Sequence, residues 1–358
     1  MIHSVLPILA ISVLLYSCNG QQNIPQTPTT NSPQLGTIVN KLDPTIWNIF
    51  QDQQSNYWFG SKNKGVYRYD GKELVQFTTE DGLVDNDIRG IQEDKAGNVF
   101  IETLVGVSKF DGQVFQTLPI KKDAPNQWEL NPDDLWFRIG FDNNGPYRYD
   151  GTHLHSLKLP ISPQENAFYF NRPMASFSPY GIYSIYKDHT GKMWFGTTAI
   201  GVCRYDGKAF QWHYEKQLQT TPNGGDFGTR AILQDKDGFF WFNNTRYRYE
   251  ILTNTSSNLL HPIQHEGIGV ADGNDEVAYP FFLSIAEDKE GDLWMVTYDN
   301  GVWRKTDDKL VHYPIKDGNT DVMLFTIYKD RDGVLWLGTH NAGIYKYNGK
   351  NFEKFEFQ

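Results

Sequence analysis

Short apolar stretches alternate with turn-forming residues along most of the chain, and the alternation repeats. Each copy has an apolar stretch, a turn containing Asp and Gly, then a bulky aromatic residue and a second apolar stretch. The aromatic positions are Trp58, Phe100, Trp136, Trp194, Trp241, Trp294 and Trp336. From Trp58 to Trp336 the steps average about 46 residues, which is near the period of about 40–50 residues typical of propeller blades.

Turn chemistry divides each copy into four short strands. Asp lies six residues before the aromatic position in six copies, and Leu130 replaces it in copy three. An Asp-Gly or Asn-Gly pair usually follows later, as at Asp70-Gly71, and for these pairs we predict type I′ hairpins with positive φ at both residues. The chain is therefore predicted to be all-β, a single seven-bladed β-propeller of four-stranded antiparallel blades.

The repeat also resembles a known family. The pattern D-x-x-G-x-x-W-[FL]-G-[ST], followed by a glycine and Y-x-Y-[DN]-G, is similar to the two-component regulator propeller repeat, and the last copy carries it as Trp336-Leu337-Gly338-Thr339. The resemblance covers about residues 41–358. It implies the periplasmic sensor half of a hybrid two-component system, here expected without the kinase.

The amino-terminal residues predict export and a lipid anchor. The apolar run from Val5 to Tyr16 has the length of a signal-peptide core and is too short to span a bilayer. Leu15-Tyr16-Ser17-Cys18 resembles a bacterial lipobox. We therefore expect a lipoprotein signal peptide over residues 1–17 and lipidation of Cys18, the alternative being an ordinary secretory signal with an incidental cysteine.

Residues 18–40 are rich in Gln, Asn, Pro and Thr, a composition typical of a flexible tether. The propeller is then expected over residues 41–358. Together these segments predict a protein of the cell envelope, anchored by lipid at the outer membrane or periplasmic side, with no other membrane contact.

Charge and composition exclude several classes of partner and chemistry. The 358 residues carry a formal net charge of −10, which argues against nucleic-acid binding, since that requires an excess of Lys and Arg. Two cysteines exclude a disulfide scaffold. Neither a phosphate loop nor a G-x-S-x-G elbow is present, and the histidine and acidic clusters lack the spacing of a metal site. No cofactor and no metal are expected.

We expect the binding site on the face of the propeller where loops connect the fourth strand of each blade to the first strand of the next. Its longest connections are residues 160–180, 215–228 and 253–279, and long loops on one face commonly form sites. In six of the seven copies, one position at the start of the first strand is expected next to the channel mouth, occupied by Trp47, Arg89, Tyr183, Arg230, Leu283 and Phe325. Arginines can bind carboxylates and aromatic rings can stack on sugars. Alternatively, these are core aromatics with arginines paired to acids such as Asp85 and Asp87.

Two further residues are candidates for the site. Arg172 follows the aromatic segment Phe168-Tyr169-Phe170, which either packs over the mouth or stacks on a ligand. His340 lies in a loop that faces the same side. The ligand-binding set predicted from the sequence is thus Trp47, Arg89, Tyr183, Arg230, Arg172 and His340.

Two classes of function remain open. The first is a non-catalytic module that binds an unknown small molecule, with an oligosaccharide as a candidate, or an envelope protein. The second is a propeller enzyme such as a lyase resembling the streptogramin lyases, in which His340 would be the base. No acid is placed beside His340 by spacing, and a histidine alone is no catalytic set.

Overall fold

The computed structural model describes residues 35–121, 128–140, 144–221, 225–252, 257–271, 277–307 and 309–357. Seven sheets surround a central channel, so the predicted seven-bladed propeller is confirmed. In each sheet we call the strands a to d, from the channel outwards. The predicted signal peptide, Cys18 and most of the predicted tether precede the described residues. Within the described part of the chain, no helix is long and apolar enough to cross a membrane.

The strands follow the order of the repeat, and each aromatic position lies on strand b. Blades one and two consist of Ile46–Gln51, Tyr57–Ser61, Val66–Tyr69 and Leu74–Phe77, then Ile88–Glu93, Val99–Thr103, Val107–Phe110 and Phe115–Thr117. Blades four and five consist of Ile182–Lys187, Met193–Thr197, Val202–Tyr205 and Phe210–His213, then Ile232–Gln234, Phe240–Phe242, Asn244–Glu250 and Ile263–Glu266. Blades six and seven consist of Ser284–Glu287, Leu293–Val296, Val302–Thr306 and Lys309–Tyr313, then Leu324–Lys329, Leu335–Thr339, Ile344–Tyr347 and Phe352–Lys354.

Blade three departs from this plan. Its strands b, c and d are Leu135–Phe137, Tyr147–Tyr149 and Leu154–Ser156, and the described residues contain no strand a for it. Instead, Ile120–Lys121 pairs in parallel with the outer side of strand d. The sequence signals this, because Leu130 stands where the other six blades have the turn aspartate.

Few elements lie outside the blades. They are helix α1 (Glu165–Asn171), the 3₁₀ turns Thr79–Asp81 and Lys216–Leu218, and two small hairpins, Val270–Ala271 with Val277–Ala278 and Lys316–Asp317 with Thr320–Asp321.

A single aspartate explains the spacing between the first turn and the aromatic position. In blade one, Asp52 Oδ1 accepts the backbone N–H groups of Gln54 and Asn56 at 2.9 and 2.8 Å, which fixes the turn between strands a and b. Its Oδ2 accepts the indole N–H of Trp58 at 2.8 Å. The same bond to tryptophan forms in blades four to seven. It satisfies a buried indole that would otherwise lose its hydrogen bond to water.

The turn between strands c and d differs from the predicted type I′ geometry. Gly71 has φ of 95°, whereas Asp70 is not among the residues with positive φ. The aspartate precedes the loop, and its Oδ1 accepts the N–H groups of Lys72 and Glu73 at 2.9 and 2.8 Å. Glycine is therefore the first central residue, as in a II′ turn. The hairpin was predicted correctly. The prediction of positive φ at both residues was wrong, because only the glycine has it.

The ring closes through side chains. Thr37–Val39, within the segment predicted as tether, forms a fifth strand on the outer edge of blade one and pairs with no strand of blade seven. Between blades seven and one, Tyr57 donates its hydroxyl proton to Asp330 Oδ2 at 2.7 Å, and Trp336 packs on the Tyr57 ring at 4.9 Å. Neither terminus therefore adds a strand to the sheet of the other's blade.

Candidate functional site

The residues predicted at the channel mouth line one pocket. Six side chains at the starts of the a strands surround a cavity of about 360 Å³, namely Trp47, Arg89, Tyr183, Arg230, Leu283 and Phe325. One residue further along each strand, short side chains line the deeper channel of about 650 Å³, at Asn48, Gly90, Ser184, Ala231, Ser284 and Thr326. The alternation of strand residues thus places large groups at the rim and small groups near the axis.

One side of the mouth is an aromatic platform. The rings of Trp47 and Phe325 stack with centroids 4.7 Å apart and an angle of 13°. The guanidinium carbon of Arg89 lies 4.7 Å from the Trp47 ring, and Arg89 also pairs with Asp87 at 3.0 Å. Burial raises the pKa of Asp87, although the arginine opposes this. The charge of Arg89 is therefore partly neutralised by its neighbour.

Arg230 lies in another part of the wall of the same pocket, and its positive charge is less neutralised than that of Arg89. Its guanidinium carbon lies 4.4 Å from the Tyr183 ring, and its Nε donates to the Phe227 carbonyl oxygen at 2.8 Å. Burial lowers the pKa of Arg230, but a guanidinium still keeps its proton. Within the described part of the chain no carboxylate forms an ion pair with it. Arg230 is thus a largely buried cation beside an aromatic ring.

Arg138 was not predicted, yet it organises the mouth. Its Nη1 and Nη2 donate to the carbonyl oxygens of Tyr183 and Arg89, each at 2.6 Å. Its Nε donates to Glu102 Oε1 at 3.1 Å, and its backbone N–H donates to Glu102 Oε2 at 2.9 Å. Glu102 is 2% exposed, and burial raises the pKa of its carboxyl against the pull of Arg138. The pair joins blades two and four next to blade three, whose described residues form no strand a.

A sequence signal for this pair does exist. Glu102 and Arg138 stand two residues after the aromatic position, where blades one, four and seven have Gly60, Gly196 and Gly338. Opposite charges at the glycine position of two consecutive copies indicate an ion pair. Their location at the mouth could not be read from this, because it depends on the bonds from Arg138 to the carbonyl oxygens of Tyr183 and Arg89 in the neighbouring blades.

His340 supports the platform. The indole N–H of Trp47 donates to His340 Nδ1 at 3.3 Å, so a neutral ring carries its proton on Nε2. Burial, together with the nearby Lys62, lowers the pKa of His340. No hydrogen bond joins it to a carboxylate in the described residues, and these residues contain no group of three or more metal-ligating side chains. His340 therefore has no acid partner there.

Arg172 lies in a different part of the molecule. It forms an ion pair with Asp226 in a separate cleft beside α1, lined also by Lys216 and Gln219. Phe168 of the preceding aromatic segment is buried, whereas Phe170 is exposed. The structure thus brings Trp47, Arg89, Tyr183 and Arg230 together, sets His340 behind Trp47, and leaves Arg172 outside the mouth.

Comparisons with known proteins agree with this architecture. The family described as two-component regulator propeller matches residues 176–199 and 317–341, which include strands a and b of blades four and seven. No curated protein matches the sequence significantly.

Several solved propellers are similar in structure. The extracellular domain of the hybrid two-component system BT4673 from B. thetaiotaomicron is 21% identical over 88% of this chain, with a TM-score of 0.56; the match covers only 40% of that longer chain. Virginiamycin B lyase from Staphylococcus aureus is 15% identical over 87% of this chain and 97% of its own, with a TM-score of 0.59. PorZ, a surface component of the type-IX secretion system of Porphyromonas gingivalis, is 17% identical over 85% of this chain and 46% of its own, with a TM-score of 0.57. At such identities the likeness concerns the fold.

Proposed function

We propose, from the premise that the chain belongs to the two-component regulator propeller family, that it is a non-catalytic ligand-binding module whose site is the channel mouth. The observation that carries this is a partly buried arginine, Arg230, which forms no ion pair among the described residues and lines the same pocket as the stacked rings of Trp47 and Phe325. The pocket volume of about 360 Å³ lies within the range of small-molecule sites.

The chemistry of the mouth selects the class of ligand. Arg89, Arg138 and Arg230 supply three positive charges, against Asp87 and Glu102, so the described groups around the pocket are net positive in a protein of net charge −10. A guanidinium binds a carboxylate through paired hydrogen bonds, and the Trp47–Phe325 stack adds apolar surface to the pocket wall. An acidic sugar, such as a uronic acid in a short oligosaccharide, has both complementary features.

The proposed location is the cell envelope. The lipobox-like Leu15-Tyr16-Ser17-Cys18 supports a lipid anchor, and the similar BT4673 propeller is an extracellular domain. Binding, rather than the lyase alternative, is supported by the surroundings of His340, which contacts the rings of Trp47, Phe325 and Tyr298.

Titration calorimetry on the full chain in mild detergent tests the proposal. The probe is trigalacturonic acid, and the control ligand is the uncharged galactose trisaccharide of the same linkage. Arg230→Gln should weaken trigalacturonate binding about tenfold or more, since the loss of about 1.4 kcal/mol corresponds to that factor. Arg172→Gln, a matched removal of an arginine outside the mouth, should leave binding unchanged.

Two results would overturn the proposal. Absence of binding by any acidic saccharide would move the function to a protein partner. Equal weakening by Arg230→Gln and Arg172→Gln would show that the mouth is not the site. Unfolding temperatures of both variants verify that the fold is intact.

A further inference from the structure

We infer that the propeller rests against the bilayer through the connection between blades three and four, whose large apolar side chains enter the lipid interface. The inference builds on the lipid anchor proposed above and adds a second, noncovalent membrane contact. It assigns a partner, a phospholipid surface, to an insert that the ligand site does not use.

The insert presents an unusual amount of apolar surface to water. Met174 is 92% exposed, Phe170 86%, Ile161 77% and Tyr169 47%, all within residues 157–181. Exposed apolar residues are common singly, whereas a cluster of this kind marks a surface that is covered by something else. The insert has Lys158, Glu165 and Arg172 as its charged residues, so it is close to neutral.

The base of the insert is firmly held. Phe168 on α1 is buried in the cluster that contains Tyr180 and Trp212. The hydroxyl of Tyr180 donates to Glu165 Oε1 at 3.0 Å, and Arg172 is paired with Asp226. The exposed side chains therefore project from a fixed support, and the insert lies outside the residues that line the mouth.

The chain enters the propeller on the same face. Strand Thr37–Val39 runs antiparallel to strand d of blade one, with Thr37 opposite Gln76 near its end. The preceding Gly36 donates its N–H to Asp81 Oδ1 at 2.8 Å, and Asp81 lies in the connection from strand d to the next blade. The insert is the equivalent connection two blades further on, so both lie on one face.

The length of the tether brings this face to the membrane. Residues 19–34 separate Cys18 from Leu35, and even fully extended they span at most about 55 Å. A lipid on Cys18 would therefore hold the face that carries Phe170 and Met174 next to the bilayer, where aromatic and apolar side chains bind at the interface.

Site-specific fluorescence on the full, lipidated chain tests this contact. The chain is bound to vesicles of phosphatidylethanolamine and phosphatidylglycerol and carries an environment-sensitive dye on Phe170→Cys. The control is the same dye on Val114→Cys, an exposed position in a turn of the opposite face. Cys203 is buried and does not label, and the unsubstituted chain provides the background.

We expect the dye at position 170 to brighten severalfold and to be quenched by nitroxide-labelled lipid, with neither effect at position 114. If the chain floats with the vesicles but both dyes remain in water, the inference fails while the anchor stands. If the chain does not float, the anchor and this contact both fail. If the dye at position 170 responds without lipid and only at high protein concentration, the insert contacts protein instead of the bilayer.

Discussion

In blade seven, Gly338 on strand b lies against strand a of blade one, and a Cβ there would come within 2.7 Å of the Ile46 carbonyl oxygen. At the aligned positions, blades two and three carry Glu102 and Arg138 in place of glycine. Their side chains pair with each other at 3.1 Å, next to the part of blade three where the described residues form no strand a. Glycine is not required here in every blade, since Asn243 and Val296 occupy the position in blades five and six. The same position thus serves close packing between blades in one region and an ion pair in the other.

Side chains of blade two also form hydrogen bonds with the backbone of strand b in blade three. Blade seven has a full ladder between strands a and b. In blade three, strand b instead receives side chains of blade two. Gln92 Nε2 donates to the Trp136 carbonyl oxygen at 2.8 Å, and Glu102 accepts the N–H of Arg138. Backbone groups of strand b in blade three are thus satisfied by side chains of a neighbouring blade.

Removing Glu102 would break this arrangement most severely. Glu102→Ala leaves Arg138 beside the channel without its counter-charge, and the loss of one member of a buried pair costs about 3–5 kcal/mol of unfolding free energy. Urea denaturation measures the loss. The double variant Glu102→Gln, Arg138→Gln, which retains polar groups without charge, should cost less than Glu102→Ala. The opposite order would show that the charge pairing of Glu102 and Arg138 does not stabilise this junction.

A smaller loss of unfolding free energy is expected from replacing Trp336 or Trp136, and the loss should differ between these two aligned positions. Trp336→Phe in blade seven deletes a hydrogen bond of 2.9 Å to the buried Asp330, which should cost about 1.5–3 kcal/mol. Trp136→Phe in blade three should cost about 1 kcal/mol, because Leu130 replaces the aspartate there. Blade two already has Phe100 at this position. Chemical denaturation of both variants provides the comparison, and equal losses would contradict the role given to the aspartate.

The smallest expected effect is a change in the unfolding free energy with pH. Because burial raises the pKa of Glu102 above its ordinary 4.5 in the folded protein, the folded state holds this proton more tightly than the unfolded state. The contribution of Glu102 to stability therefore decreases as pH rises from 4.5 through the raised value. The unfolding free energy of the parent chain, relative to Glu102→Gln, should fall across that window. A rise would show that Arg138 outweighs the burial.

Local chemistry made most of the fold predictable. An aspartate, a glycine and a tryptophan at fixed spacing define a turn and the strand after it, since their bonds lie within seven residues. The four mouth residues were predictable for the same reason, as strand alternation fixes where a side chain points. Arg138 was not, because its partners Glu102, Tyr183 and Arg89 lie in other blades, far away in the sequence. The location of Arg172 in a separate cleft was not predictable, because the conformation of the connection between blades three and four does not follow from the spacing of the repeat.

The way the ring closes has a consequence for its folding. Each blade is formed from one continuous stretch of chain, and no strand from one terminus completes the sheet of the other. Hairpins with short loops form in microseconds, so single blades can assemble early, whereas the bond from Tyr57 to Asp330 joins residues 273 positions apart. Such a contact bears the largest loop-closure entropy. The junction of blades one and seven is therefore the seam at which the ring closes last and opens first.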